Sequence, residues 1–306
     1  MSERKVKIAK RIMIFWTLFI GIGAVAGAVG MLVAPDGSAM GMQALLPYFQ
    51  VLPFSDVLFQ NFIFPGISLF IVNGISNLTA FYLIMRNKRI GAYLGCAFGV
   101  TLMLWIIIQF VIFPPNFMST IYFIFGLLQF ICGIVYIIFL KQDSFHFDAS
   151  GYTEIGKQPK TLVVYYSRLG YTRKIAYETA NETGADLYEI TTSERTHGFL
   201  GFAWLGRFGM HGWGMPIHPI KVDLSGYDKV ILVSAIQVFK VAPPMREFCR
   251  ESQGKVRQLE CILVHFRKDS TYNSAFTEVE ELLQVRAAKR KSIVCKFGRK
   301  VEEYAI

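Results

Sequence analysis

Four apolar stretches, residues 12–33, 59–85, 90–113 and 118–140, contain no Asp, Glu, Lys or Arg. Each is as long as the ~20 residues an α-helix needs to cross the hydrocarbon of a bilayer. Charge is confined to match. Of 32 basic side chains eight precede Lys141, and of 22 acidic ones only Glu3, Asp36 and Asp56 do, so residues 141–306 are polar enough to fold in water, with a net charge of about +5. The division this predicts is a four-span transmembrane module at 1–141, a polar linker at 142–160 and a separate domain at 161–306.

The first stretch is long for a signal peptide, lacks a cleavage site before Pro35 and is followed by three more spans. Basic residues in short loops set the expected orientation. Arg4, Lys5, Lys7, Lys10 and Arg11 precede span one, and Arg86, Lys88 and Arg89 join spans two and three, whereas the loops at 34–58 and 114–117 carry none. The expectation is a multi-pass inner (plasma) membrane protein with both termini and the C-terminal domain cytoplasmic. The loop holding Leu45, Leu46, Tyr48, Phe49 and Leu52 is expected at the outer interface. Gly91, Gly95 and Gly99, like Gly23 and Gly27, recur every four residues and predict faces where helix backbones approach closely. Asn73, Asn77 and Gln109 predict interhelical amide bonds, with a quinone or ion site as the alternative. Around P-G-I-S-L at Pro65 and W-I-I-I-Q at Trp105 this half resembles small four-helix bacterial membrane proteins, which implies no function.

Several chemistries are disfavoured. The five cysteines form no C-x-x-C pair, which argues against a disulfide framework or thiolate metal site. All five histidines follow residue 140, so no intramembrane imidazole can ligate a haem iron. No Ser-His-Asp order suggests hydrolysis, so no side chain is assigned as catalytic. The basic tail of Arg286, Lys289, Arg290, Lys291, Lys296, Arg299 and Lys300 reads as a solvated face or as a contact with anionic lipid. No recognition motif accompanies it, so nucleic acid is not an expected partner.

After residue 160, β-branched runs alternate with helical segments, the pattern of a parallel α/β sheet. Strands are predicted at 162–166, 187–190, 229–234, 259–266 and 292–297, and helices at 172–182, 244–251 and 274–285. Ligands of a doubly wound sheet lie outside the carboxyl ends of its strands. There, directly before a helix, stands Ser167-Arg168-Leu169-Gly170-Tyr171-Thr172. It combines the helix-start amides, hydroxyls and glycine that a phosphate site requires.

The run Y-Y-S-R-L-G-Y-T-R-K-I-A from Tyr165 resembles the phosphate loop of flavodoxins. The run from Tyr227, Y-D-K-V-I-L-V-S-A-I-Q-V-F-K-V-A-P-P-M-R-E-F, is similar to their third strand, flavin-flanking loop and following helix. The resemblance covers residues 161–297. It implies a flavodoxin-like, doubly wound five-stranded parallel sheet of order 2-1-3-4-5 that binds FMN. Ser167, Arg168, Leu169, Gly170, Tyr171 and Thr172 would then hold the FMN phosphate, and Ala235, Ile236, Gln237, Val238 and Phe239 would border the ring. The segment 266–272 would supply the other wall, with Tyr272 or Phe239 as a stacking face. The chain departs from the family at Leu169, where a hydroxyl is usual, at Tyr171 for Asn, at Gln237 and Val238 for tryptophans, and at Phe239 for glycine. The implied function is a membrane-tethered electron-transfer flavoprotein, or flavin-dependent oxidoreductase, passing electrons from a cytosolic donor to a quinone or partner protein. The departures motivate the alternative, a flavin-free regulatory or scaffold domain on a transporter-like module. The glycine- and aromatic-rich insertion at 198–214 reads either as a cover for the sheet or as an interfacial segment with Trp204, Phe208 and Trp213 at headgroup depth. Oligomeric state is not encoded in any of these features.

Overall fold

The computed structural model describes residues 2–158, 160–268 and 272–306. The chain separates into two compact units, Met1–Ser144 and Phe145–Ile306.

The first unit contains α1 (Ser2–Val33), α2 (Ser55–Leu58), α3 (Ile63–Leu69), α4 (Ser76–Met85), α5 (Arg89–Ile112) and α6 (Phe117–Asp143). A π-helical turn, Phe70–Ile75, joins α3 to α4, so four helices long and apolar enough to cross a membrane result: Glu3–Val33, Ile63–Met85, Arg89–Ile112 and Phe117–Asp143. Helix α1 starts well before its apolar run because the basic N-terminal turns are also good helix formers. Polarity is distributed inside out relative to a water-soluble bundle. Phe15, Ile22, Leu104 and Val111 face outward, while Thr17, Asn73, Asn77 and Gln129 are wholly buried.

Close backbone approach occurs where the glycine spacing predicts it. A Cβ at Gly99 would lie 2.7 Å from the Phe130 nitrogen and 2.8 Å from the Gly126 oxygen, so only glycine lets α5 meet α6 there. The amide network has a member not anticipated from the sequence. Gln129 Nε2 donates to Asn77 Oδ1 and to the Gly95 carbonyl, both at 2.8 Å, and Asn77 Nδ2 donates to the Asn73 carbonyl at 2.9 Å. Gln109 Oε1 accepts from Ser119 Oγ at 2.9 Å. The loop between the first two long helices folds into 3-10 turns, Ser38–Met40 and Gln43–Val51, and packs Phe49 with Phe62, Ile112 and Phe113.

The second unit is an α/β domain. Its strands are β1 (Thr161–Tyr165), β2 (Asp186–Glu189), β3 (Lys229–Gln237), β4 (Lys240–Val241), β5 (Gln258–His265), β6 (Ala287–Lys296) and β7 (Arg299–Ala305). Its helices are α7 (Tyr171–Thr183), α8 (Gly198–His211), α9 (Pro243–Glu251) and α10 (Asn273–Leu283). The sheet runs β2-β1-β3-β5-β6-β7, with β4 paired to β3. The first five members of that order are mutually parallel. One face packs Met245, Phe248, Phe276 and Leu283 of α9 and α10 against Leu162, Leu232 and Leu263. The other packs Ile175, Ala176 and Ala180 of α7 against Val163, Ile231 and Ile293. Such uniformly apolar strands are what a sheet covered on both faces demands.

Three expectations are revised. The sheet is neither five-stranded nor wholly parallel, because after β6 the chain turns at Phe297 and Gly298, both at positive φ, and returns as antiparallel β7. The basic tail is only in part a free charged face: Arg290 pairs with Glu280, and Lys291 and Lys300 both reach Glu303, while Arg286, Lys289 and Arg299 are exposed. The segment expected as linker belongs largely to the second unit. Phe145 lies edge-on to Tyr171 with ring centroids 4.8 Å apart, and Phe147 and Tyr152 pack on Tyr177. Aromatic side chains in an otherwise polar stretch find the exposed flank of α7 and bury there.

Candidate functional site

Because β1, β3 and β5 are adjacent and parallel, the turns that follow them emerge at one edge of the sheet. Those turns carry the residues expected to bind a ligand. The turn after β1 is shaped by Gly170, whose φ of 88° is readily adopted only by glycine and which forms the N-cap of α7 without any side-chain cap. Ser167 Oγ accepts from the Gly170 N–H at 3.1 Å, which tightens the turn and leaves the hydroxyl proton free to donate. The first amides of a helix have no intrahelical acceptor. Tyr171 and Thr172 contribute them here, at the positive end of a 13-residue helix dipole.

Ser167, Arg168, Leu169 and Gly170 line a cleft of about 520 Å³. Its other walls are Phe145, Phe147 and Tyr166, then Arg173 and Glu189, and finally the stretch after β2 that includes Thr191, Thr192, Thr196 and His197. The two arginines differ. Arg173 Nη2 is held 2.5 Å from Glu189 Oε1, whose other oxygen accepts from the Tyr165 hydroxyl at 3.2 Å, so its charge is matched. Arg168 forms no ion pair among the described residues; its guanidinium lies 5.3 Å from the centroid of the Phe202 ring. Burial pulls the Arg168 pKa below the ordinary arginine value, the mark of a partly desolvated cation whose surroundings do not compensate it.

The other predicted residues lie elsewhere. Ala235, Ile236 and Gln237 end β3, and Val238 and Phe239 form its turn into β4, both with positive φ (49° and 65°). Glycine adopts that conformation more readily than other residues, and Phe239 holds it while remaining 66% exposed. Gln237 Oε1 is buried with no hydrogen-bond partner among the described residues. Tyr272 packs its ring against His265, centroids 4.8 Å apart. His265 is itself fixed by Ser292 Oγ at 2.6 Å and by the Arg267 carbonyl at 2.8 Å. Of the expected wall at 266–272, residues 269–271 lie outside the described residues. Neither 235–239 nor Tyr272 lines the cleft. Thr191 and Thr192 could have been anticipated, since they follow a strand at the same sheet edge; Phe145 could not, because nothing in a polar segment signals its return to the turn.

No protein-family model and no curated protein matches the chain. Among solved structures it is similar to a flavoprotein from Lactobacillus acidophilus NCFM crystallised in complex with FMN, with 19% identity and a TM-score of 0.38 over 44% of this chain and 93% of that one. It is also similar to a chain from Bacteroides eggerthii DSM 20697 described as a flavoprotein, with 18% identity and a TM-score of 0.37 over 44% of this chain and 86% of that one.

Proposed function

We propose that the second unit is a flavodoxin-like FMN-binding domain and that the four apolar helices tether it to the inner membrane. It would pass electrons between a cytosolic donor and a membrane acceptor such as a quinone or partner protein. The observation that carries this reading is Arg168, a partly buried cation without a carboxylate partner, beside an uncapped helix start in an open cleft. That donor set suits a phosphate monoester, because helix-start amides, a hydroxyl proton and a guanidinium are the groups that bind such a dianion. The buried Gln237 Oε1 is an acceptor that a heterocyclic N–H would satisfy. FMN, when bound, supplies the electron chemistry. The chain's own work is to seat the phosphate through residues 167–172, to border the ring with residues 235–239, and to exclude water with the apolar side chains Leu169 and Phe239.

A second reading draws on the cleft's lining, which is Thr191, Thr192, Thr196 and His197 rather than 235–239 and Tyr272. An anion-sensing regulatory domain without flavin would use those walls alone. The visible spectrum of detergent-purified protein, with the released pigment identified by mass, separates the two. Near-stoichiometric FMN, with affinity reduced about tenfold or more by Arg168→Ala through loss of a charge-assisted bond, is the expected result. A colourless protein that FMN cannot reconstitute would sink the electron-transfer reading and leave the regulatory one.

A further inference from the structure

Helix α8 is built the wrong way round for a surface helix in water. Its inward stripe is Gly201, Leu205 and Gly209, two of the three without a side chain, and these let the helix lie flat against the domain. A Cβ at Gly201 would come within 2.4 Å of the Thr196 backbone, and one at Gly209 within 3.3 Å of the Gln237 carbonyl. The large apolar side chains are therefore outside. Phe199 is 82% exposed and Met210 65%, with Leu200 and Phe202 between them. Trp204 and Trp213 flank this face, both more than a third exposed.

The charge around it is mostly basic. Arg207 lies with its guanidinium 5.6 Å from the Trp204 ring centroid, and Arg168 covers Phe202. Arg195, Arg207 and Lys240 form no ion pair among the described residues. The neighbouring acid, Glu194, accepts from Trp204 Nε1 at 2.8 Å. Apolar side chains, interfacial tryptophans and unpaired cations on and beside one helix are features that hold a helix in the headgroup region of an anionic membrane.

We propose that the exposed face of α8 docks on an anionic lipid bilayer. A protein partner would need acidic groups to meet these cations, whereas a bilayer offers both the acyl boundary and the negative surface, and a chain with four membrane-length helices has one always within reach. The inference rests on the tethering part of the function proposed above but not on flavin.

The test uses the full chain carrying Trp16→Phe and Trp105→Phe, which leaves Trp204 and Trp213 as the only tryptophans. It is placed in lipid nanodiscs of phosphatidylglycerol and phosphatidylcholine whose acyl chains are brominated near the headgroup end. The expected result is loss of tryptophan emission relative to unbrominated discs, weaker in discs of phosphatidylcholine alone, and recovery of emission when Phe199→Asp and Met210→Asp are added. Emission equal in brominated and unbrominated discs, from protein that co-elutes with them, overturns the docking while leaving the tether intact. Quenching that survives the double aspartate variant also overturns it. Failure to co-elute with discs overturns the tether and the docking together.

Discussion

Arg246 is 1% exposed, and every one of its bonds reaches a different piece of the candidate site's frame. Nε donates to Glu278 Oε1 of α10 at 2.7 Å, Nη1 to the Trp213 carbonyl just past α8 at 2.8 Å, and Nη2 to the Val241 carbonyl of β4 at 3.3 Å. A buried charge with partners on three elements fixes their mutual register, and removing it strands Glu278. Arg246→Met should destabilise the second unit by about 3–5 kcal/mol, the usual result of breaking one side of a buried pair, read as a shift in the denaturant midpoint of the full chain. A midpoint within about 0.5 kcal/mol of the parent would show the pair to be dispensable. Sequence identifies Arg246 only as a residue of a predicted helix. The strand-turn-helix at Ser167, Gly170 and Thr172 was legible, by contrast, because it is a local object whose parts lie within six residues.

Elements were legible where one physical requirement dominates a long window. The transmembrane-length helices follow from charge exclusion, and the Gly91–Gly95–Gly99 spacing follows from the need for close approach without side chains. Gly99→Leu should therefore overpack the α5–α6 contact, where the Phe130 and Gly126 backbones leave no room, and cost about 1–3 kcal/mol. The readout is earlier thermal aggregation of the detergent-solubilised protein than for Gly151→Leu, at a glycine outside the left-handed region whose Cβ would meet nothing within 4 Å. Equal behaviour of the two variants would contradict the packing. Less legible were β7 and α8. An antiparallel return such as β7 depends on a two-residue turn at Phe297 and Gly298, and phenylalanine at positive φ is no turn signal. The stretch that becomes α8 carries four glycines within Gly198–His211, a composition that local propensity reads as irregular and that only packing against the domain makes helical.

At the scale of the molecule, charge and burial predict how stability depends on pH. Burial would raise the Glu280 carboxyl, but the Arg290 guanidinium and the Ala287 amide overcome that and hold it below the ordinary glutamate value of 4.5. Lys291 and Lys300 do the same for Glu303. His265 is displaced the other way in charge: burial lowers its pKa from 6.5, disfavouring the imidazolium, although the Arg267 carbonyl opposes the shift. In all three cases the unfolded chain binds protons at a pH where the folded chain does not, so stability falls as the solution is acidified. The melting temperature of the second unit should decline from about pH 6.5 as His265 resists protonation, then more steeply below 4.5 as Glu280 and Glu303 lose their ion pairs. His265→Asn should remove the first decline and leave the second, measured by circular dichroism of the full chain. A profile flat from pH 7 to pH 5 would show that His265 does not titrate differently on folding.

The sequence by itself determined the partition into a lipid-compatible half and an α/β half, the positions of the main strands and helices, and the strand-turn-helix at Ser167–Thr172. These follow from hydrophobic periodicity, charge exclusion and turn chemistry, which act over a few to twenty residues. Tertiary structure alone decided that Phe145 folds back over Tyr171, that Arg173 is neutralised by Glu189 while Arg168 is not, and that α8 shows its apolar side outward. Each of those is a relation between residues distant in sequence. Burial and charge pairing, the forces that set it, exist only once the sheet has brought the partners together.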